Sequence, residues 1–276
     1  MTRTPEEFIS NLVAGDDGLL HAATSSEFSY PEDGHDTCQA VEETSFWFGH
    51  RNDAIGAVIE AFPPPPDLPF LDIGGGNGFV GAMIAGLGHR VVLIEPGEAG
   101  AAFARERGIA EVVQASIVDL DVRPGSVGAI GMFDVLEHIE DDAAALRRLG
   151  EMLTVGGKIY LTVPSHRWLW SSADVQAGHF RRYTRRQLVA VLERAGFEVE
   201  LASYFFWPRP VPMFLARCLP ERLGLRKGES RAQRVTREHT PAVRRASKVL
   251  APELRRLRKG ARVPFGASTI AVAIKR

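Results

Sequence analysis

Apolar residues follow two rhythms along this chain. Between residues 69 and 163, short apolar runs alternate with stretches in which apolar side chains recur every third or fourth position. The first rhythm predicts strands and the second helices. Strands are read at 69–73, 90–95 (RVVLIE), 111–114, 128–133 and 158–163, and helices at 78–88, 98–107 and about 140–153. The β-branched run at 90–95 suits a strand buried on both faces. In the helix before residue 153, Leu146, Leu149 and Leu153 share one face. Gly156-Gly157 predicts a turn into the strand that follows, and Pro164 its end. Thr184-Arg185-Arg186-Gln187 has the form of a capping box and opens a helix through Leu188, Val191, Leu192 and Ala195 that Gly196 closes. Strands at 197–203 and 268–274 (STIAVAI) complete the pattern. Strands alternating with helices predict an α/β fold, a parallel sheet with helices on both faces.

The ends of the chain are less regular. Residues 1–62 predict an N-terminal helical cover, irregular at first and polar over 16–36. Its best helix is capped by Ser45 and carries Phe48, Ile55, Val58, Ile59 and Phe62 at helical spacing. Pro63 to Pro66 stop it, because proline supplies no amide donor. A core of 63–204 plus 265–276 is then interrupted by a basic helical insertion at 205–264. Within it, residues 204–219 are apolar, but Pro208, Pro210 and Pro212 exclude a continuous spanning helix. This segment is read as a lid over the site, in preference to a lipid-facing surface.

Composition narrows the classes. With 276 residues, 45% hydrophobic and 24% charged, the chain is an ordinary folded protein, and neither a spanning segment nor a signal peptide is expected. A cytoplasmic location follows as the expectation. Cys38 and Cys218 stand far apart and outside metal-type spacing, so no disulfide and no metal site is expected. The net charge of -1 hides a polarity: residues 1–204 carry 15 Lys+Arg against 30 Asp+Glu, and residues 205–276 carry 18 against 4. Such a tail suits self-association with the acidic part of the chain, an anionic substrate, or contact with anionic lipid or nucleic acid, and composition alone leaves these open. No nucleic-acid partner is expected, and peripheral membrane contact is not favoured.

The chemistry starts at Leu71-Asp72-Ile73-Gly74-Gly75-Gly76-Asn77-Gly78, a glycine loop between the first core strand and its helix. Gly76, Gly78 and Gly81 satisfy the dinucleotide pattern G-x-G-x-x-G, and Glu95 stands 19 positions after Gly76, near the place of a ribose-binding acid. Asp72 separates the candidates. Its carboxylate would repel a pyrophosphate but suits a cofactor with an ammonium, a sulfonium and no phosphate, S-adenosylmethionine.

LDIGGGNG, VVLIEP, FDVLEHIEDD and LTVGGKIYLTVP, in this order over residues 69–164, resemble the successive motifs of class I S-adenosylmethionine-dependent methyltransferases. The resemblance implies a Rossmann-like seven-stranded sheet, six strands parallel and the last, at 268–274, antiparallel. It implies Asp72, Gly74 and Gly76 around the methionine moiety, with Asn77 and Gly78 at the helix start. Glu95 would take the ribose hydroxyls and Pro96 the adenine wall. Ser116, where many members place an acid, and the Ile117 amide would meet the adenine. Phe133 and Asp134 would line the methyl region. Ser45-Phe46-Trp47-Phe48-Gly49-His50-Arg51 resembles a cofactor-covering helix of some members, with Trp47 near the sulfonium and Arg51 on the methionine carboxylate.

Residues 165–183 (SHRWLWSSADVQAGHFRRY) concentrate polar groups after the fifth core strand, where open α/β sheets present ligands. Their Gly178-His179-Phe180-Arg181-Arg182-Tyr183 stretch resembles a subgroup of the family. His166, Trp170, Arg181 and Arg182 are candidate substrate contacts, and His138, His179 and Tyr183 candidate catalytic groups. The expected activity is in-line methyl transfer to a small-molecule acceptor, an anionic one if Arg181 and Arg182, with Arg209 and Arg217 beside the lid, face it. Those arginines could instead neutralise Asp174, Glu137 or the Glu140-Asp141-Asp142 run. A nicotinamide-dependent oxidoreductase and a membrane-associated module that binds the cofactor and contacts lipid or glycan stay open as alternatives.

Overall fold

The apolar runs between residues 69 and 164 form strands because helices cover both their faces. The structure, a computed structural model, describes residues 4–24, 42–43, 45–225 and 247–276. Its strands are β1 (Leu12–Ala14), β2 (Leu20–Ala22), β3 (Phe70–Ile73), β4 (Val91–Ile94), β5 (Glu111–Gln114), β6 (Val127–Phe133), β7 (Leu153–Pro164), β8 (Phe197–Phe205) and β9 (Ser268–Lys275). They make one sheet in the order β1-β2-β5-β4-β3-β6-β7-β9-β8. Strands β3 to β8 run parallel to one another, and β9 pairs antiparallel with both β7 and β8. This is the expected seven-stranded core, extended to nine.

The two extra strands correct the reading of the N-terminus as a helical cover. Among residues 4–24 the only helical piece is a 3-10 turn, Pro5–Glu7, and β1 and β2 form an antiparallel hairpin whose second strand pairs parallel with β5. Three-residue strands carry too little alternation to be read. What holds the hairpin is local: the Asp17 carboxylate accepts the Leu19 amide at 3.0 Å, and Leu19 is buried in a cluster with Leu93, Ala101 and Ile109.

The helices are α1 (Phe46–Ala61), α2 (Phe79–Gly86), α3 (Glu98–Glu106), α4 (Asp142–Met152), α5 (Ser172–Gln176), α6 (Arg185–Arg194), α7 (Pro210–Met213), α8 (Leu219–Arg222) and α9 (Ser247–Arg258). Ser45 caps α1 by accepting the Trp47 amide at 3.2 Å, and Ile55, Val58 and Ile59 are fully buried. The capping box of α6 is formed, the Thr184 hydroxyl accepting the Gln187 amide and the Gln187 side chain accepting that of Thr184. The expected turn at Gly156-Gly157 lies inside β7. Val127 pairs with Leu153 and Ala129 with Lys158, so residues 154–157 bulge outward opposite Gly128.

The lid is helical, with Pro210 in a first helical position that needs no amide donor, and a π turn at Phe214–Cys218 between α7 and α8. Cys218 is a buried free thiol 3.3 Å from the Leu169 carbonyl oxygen; Cys38 lies outside the described residues, as does most of the basic insertion between α8 and α9. Helix α9 packs on α1 through a buried carboxylate. Glu253 Oε1 is 2.5 Å from His50 Nε2 and accepts the Phe206 amide, and Oε2 accepts the Trp207 amide. No helix among the described residues is long and apolar enough to cross a membrane.

Candidate active site

Strand β3 ends in a loop that only glycine can form. Gly74 has φ +65°, and a Cβ there would come within 2.7 Å of Val135. Gly76, at φ +53°, has no atom within 4 Å of the same position, so its face is open. Asp72 and Glu95, at the ends of the two central strands β3 and β4, are both buried. Glu95 braces the loop: Oε2 accepts the Gly76 amide and Oε1 the Gly97 amide, each at 2.8 Å. Burial lifts the Asp72 pKa from 3.8 to about 7, with Glu95 adding to the rise and Arg51 and the Gly81 amide opposing it.

This loop opens on a cavity of about 790 Å³, within the usual range of roughly 300–1,000 Å³ for a small-molecule site. Trp47, Arg51, Asp72, Gly74, Gly76, Asn77, Glu95, Pro96, Ser116, Ile117, Phe133 and Asp134 all line it. Of the expected cofactor residues only Gly78 does not; its Cβ position meets Ala104 of α3 at 3.0 Å, so it serves helix packing. The lining fits an adenosyl sulfonium better than a dinucleotide. Two carboxylates face the loop, and the Gly76 amide that a pyrophosphate would need is already taken by Glu95.

A family profile described as a methyltransferase domain matches residues 47–202. The chain belongs to this methyltransferase family. A relative from Mycobacterium tuberculosis, named a probable S-adenosylmethionine-dependent methyltransferase, is 26% identical over 192 residues, covering 68% of this chain and 69% of its own length. A ubiquinone biosynthesis O-methyltransferase of Xanthomonas oryzae pv. oryzae is 33% identical over 98 residues, 33% of this chain and 41% of the relative. Among solved structures, a Haemonchus contortus phosphoethanolamine N-methyltransferase 2 in complex with S-adenosyl-L-methionine superposes with a TM-score of 0.57 and 19% identity. That likeness covers 89% of this chain and 57% of the other. The methyltransferase uses S-adenosylmethionine, and the oxidoreductase and membrane-module alternatives find no support in these likenesses.

Around the methyltransferase's remaining polar groups the pairing is dense. Arg51 donates to the Phe133 carbonyl oxygen at 2.7 Å, its Nε lies 2.6 Å from Asp134 Oδ2, and its guanidinium stands 5.4 Å from the Trp47 ring centre. Asp134 holds φ +59° at the end of β6, a conformation unusual outside glycine. Trp47 also stacks on Phe206 of the lid at 6.0 Å.

His138, His179 and Arg182 line the cavity too. The His138 and His179 rings meet edge to face at 4.8 Å. Burial, helped by His179 and opposed by the Gly178 backbone, pushes the His138 pKa down to about 4. His179 Nδ1 lies 3.0 Å from Asp174 Oδ1, and Arg182 grips the same carboxylate at 2.7 and 3.1 Å. Burial alone would raise the Asp174 pKa, but the His179 hydrogen bond and the Arg182 guanidinium outweigh it and hold the group at about 2.

Four expected residues point elsewhere. The Tyr183 hydroxyl donates to Asp142 Oδ2 at 2.7 Å, and burial with that bond pushes its pKa up; it does not line the cavity. Arg181 pairs with Asp142 at 2.9 Å, outside the cavity. His166 stacks among Tyr204, Trp168 and Phe265, and Trp170 does not reach the lining either. The arginines thus neutralise acids, as the alternative reading had it. Glu137, Phe206 and Met213 line the cavity without having been singled out as contacts. Glu137 was legible as the neighbour of His138, but nothing in the pattern tells that its side chain turns inward.

Proposed function

We propose that this methyltransferase moves the methyl group of S-adenosylmethionine in-line to an oxygen of a small anionic acceptor, a carboxylate, phosphate or phosphonate. The observation that carries the reading is one continuous cavity lined both by the glycine loop with Glu95 and by Arg209 and Arg217 of the lid. Arg182 lines the same cavity from its pair with Asp174 and joins them as a cation along its wall. The O-methyltransferase named among the relatives supports oxygen as the acceptor atom.

When bound, the cofactor supplies an electrophilic methyl on a sulfonium: the acceptor's lone pair forms the new bond while the C–S pair returns to sulfur. Glu95 would hold the ribose hydroxyls, Ser116 and the Ile117 amide the adenine, and Asp72 the ammonium. Arg51, already fixed by Asp134 and Phe133, orients the methionine carboxylate, and Trp47 closes the front. Phe206 and Met213 exclude water from the reacting atoms, which strengthens every charge contact inside. A carboxylate or phosphate acceptor arrives deprotonated, so alignment is the main task left to the protein. A hydroxyl acceptor would meet His138 and His179, and this second reading is favoured by the engagement of Arg181 and Arg182 with acids.

The test is methyl-labelled cofactor with metabolite pools separated by charge. Label should enter the anionic pool, and Arg209→Ala should raise KM about tenfold with little change in kcat, as should added salt. Since methylation removes a negative charge, the pools are separated before the reaction; turnover confined to the neutral and cationic acceptor pools, or an unchanged KM, would end the anionic reading.

A further inference from the structure

We propose that Glu137, His138 and His179 form a binding site for one divalent transition cation of the Zn²⁺ type inside the cavity. No metal was expected from the sequence, since only cysteine spacings pointed to one or the other outcome. The fold assembles a different donor set. One ligand atom from each of these three residues lies within 4.8 Å of the other two, and His179 Nε2 is 3.9 Å from Glu137 Oε1. Donors around a tetrahedral ion with bonds of about 2.0–2.1 Å stand roughly 3.3 Å apart, so modest side-chain rotation closes the set.

Three further observations point to an ion. The Glu137 side chain is 1% exposed, yet its Oε2 has no hydrogen-bond partner, and a buried carboxylate oxygen facing a cavity with nothing to accept is a rare arrangement. His179 is oriented from behind: Asp174, itself 0% exposed, accepts at Nδ1 and leaves Nε2 to face Glu137. A carboxylate behind a ligating imidazole is the usual support of a metal-bound histidine. The backbone then fixes the two halves together, the Phe180 amide donating to the Glu137 carbonyl oxygen at 2.8 Å while Arg182 locks Asp174 on both oxygens.

The donor chemistry selects the ion. Two imidazoles and one carboxylate suit Zn²⁺ and its first-row neighbours, whereas Mg²⁺ and Ca²⁺ prefer oxygen alone. Three protein ligands leave a fourth position open to the cavity, the pattern of catalytic sites. On the reading of this cavity as the methyl-transfer site, that position takes the acceptor oxygen. A hydroxyl bound there gives its proton to water as it enters, before Phe206 and Met213 close off the reacting atoms; its lone pair then forms the O–C bond as the C–S pair returns to sulfur. The ion would do the work of a base without either imidazole changing its proton.

The experiment uses the full chain, stripped with a chelator and titrated with Zn²⁺ against a colorimetric competitor, and with Co²⁺ followed by its visible absorption. One equivalent should bind. Glu137→Gln and His179→Ala should each weaken Zn²⁺ by at least about 100-fold, and Asp174→Asn, which keeps every ligand, by about 10- to 100-fold. Binding of S-adenosylhomocysteine, measured on the same samples by calorimetry, should persist in the His179 variant. That control also separates the two ideas: loss of cofactor binding by the parent protein would strike the methyltransferase cavity, not the metal site. If Glu137→Gln fails to fold, the variant at His179, which is 16% exposed against 1% for Glu137, decides. No saturable Zn²⁺ binding by the parent, or binding by the His179 and Asp174 variants equal to that of the parent, would overturn the proposal.

Discussion

Asp72→Asn should stabilise the cofactor-free protein while weakening its grip on the cofactor. The wild-type carboxylate is 1% exposed and its pKa stands at about 7 against an ordinary 3.8. A carboxyl group whose folded pKa is raised has no cost below about pH 3, where it is protonated in both states. The cost grows as pH rises toward 7, because the unfolded chain ionises first, and is complete above the folded pKa. At about 1.36 kcal/mol per pH unit, the rise corresponds to about 4 kcal/mol above pH 7, lowered toward about 2 where water relaxes around the charge. The amide does not titrate. The variant's advantage in urea unfolding should therefore be about 0.5 to 1 kcal/mol at pH 4.5 and reach about 2 to 4 kcal/mol at pH 8, with cofactor absent from both samples. Comparing the two proteins at each pH removes the contribution of Glu137, whose pKa is also pushed well up by burial and by Asp134. An advantage independent of pH, or a variant less stable at pH 8 than the parent, would refute the reasoning.

Two further substitutions test the cavity's parts. Glu95→Ala should lower affinity for S-adenosylhomocysteine by about 1.5 to 3 kcal/mol by removing charge-assisted bonds, and unchanged calorimetric affinity would remove Glu95 from the cofactor set. Tyr183→Phe should cost about 1 kcal/mol of stability through the lost bond to Asp142 and leave kcat within about twofold of the parent; a large fall in kcat would return the hydroxyl to the chemistry.

What could be read from the residues alone was what is local. The glycine loop, the α6 capping box, the Ser45 cap and the apolar runs each specify their own conformation within a few neighbours, and each was found where expected. Tyr183 and Arg181 failed for a different reason. Adjacent positions in an extended stretch face opposite ways, and which way is set by the Ser165–Tyr183 bridge and by the Phe180 amide on Glu137, both distant in sequence. Asp174 illustrates the same limit from the other side. Read as a counter-charge for arginine, it also orients His179, a relation that exists only once α5 has folded against the loop that follows it.

Glu253 joins parts of the chain that would otherwise be independent. One carboxylate on α9 meets His50 of α1 and the amides of Phe206 and Trp207 at the root of the lid. His50 is the immediate neighbour of Arg51, and Phe206 stacks on Trp47, so the front wall of the cavity hangs on a residue from the chain's last tenth. The C-terminal insertion is therefore not an interchangeable module. A chimera that borrows this region from another methyltransferase must bring an acid to the same point, or it leaves two buried amides and an imidazole unanswered and loosens the wall from behind.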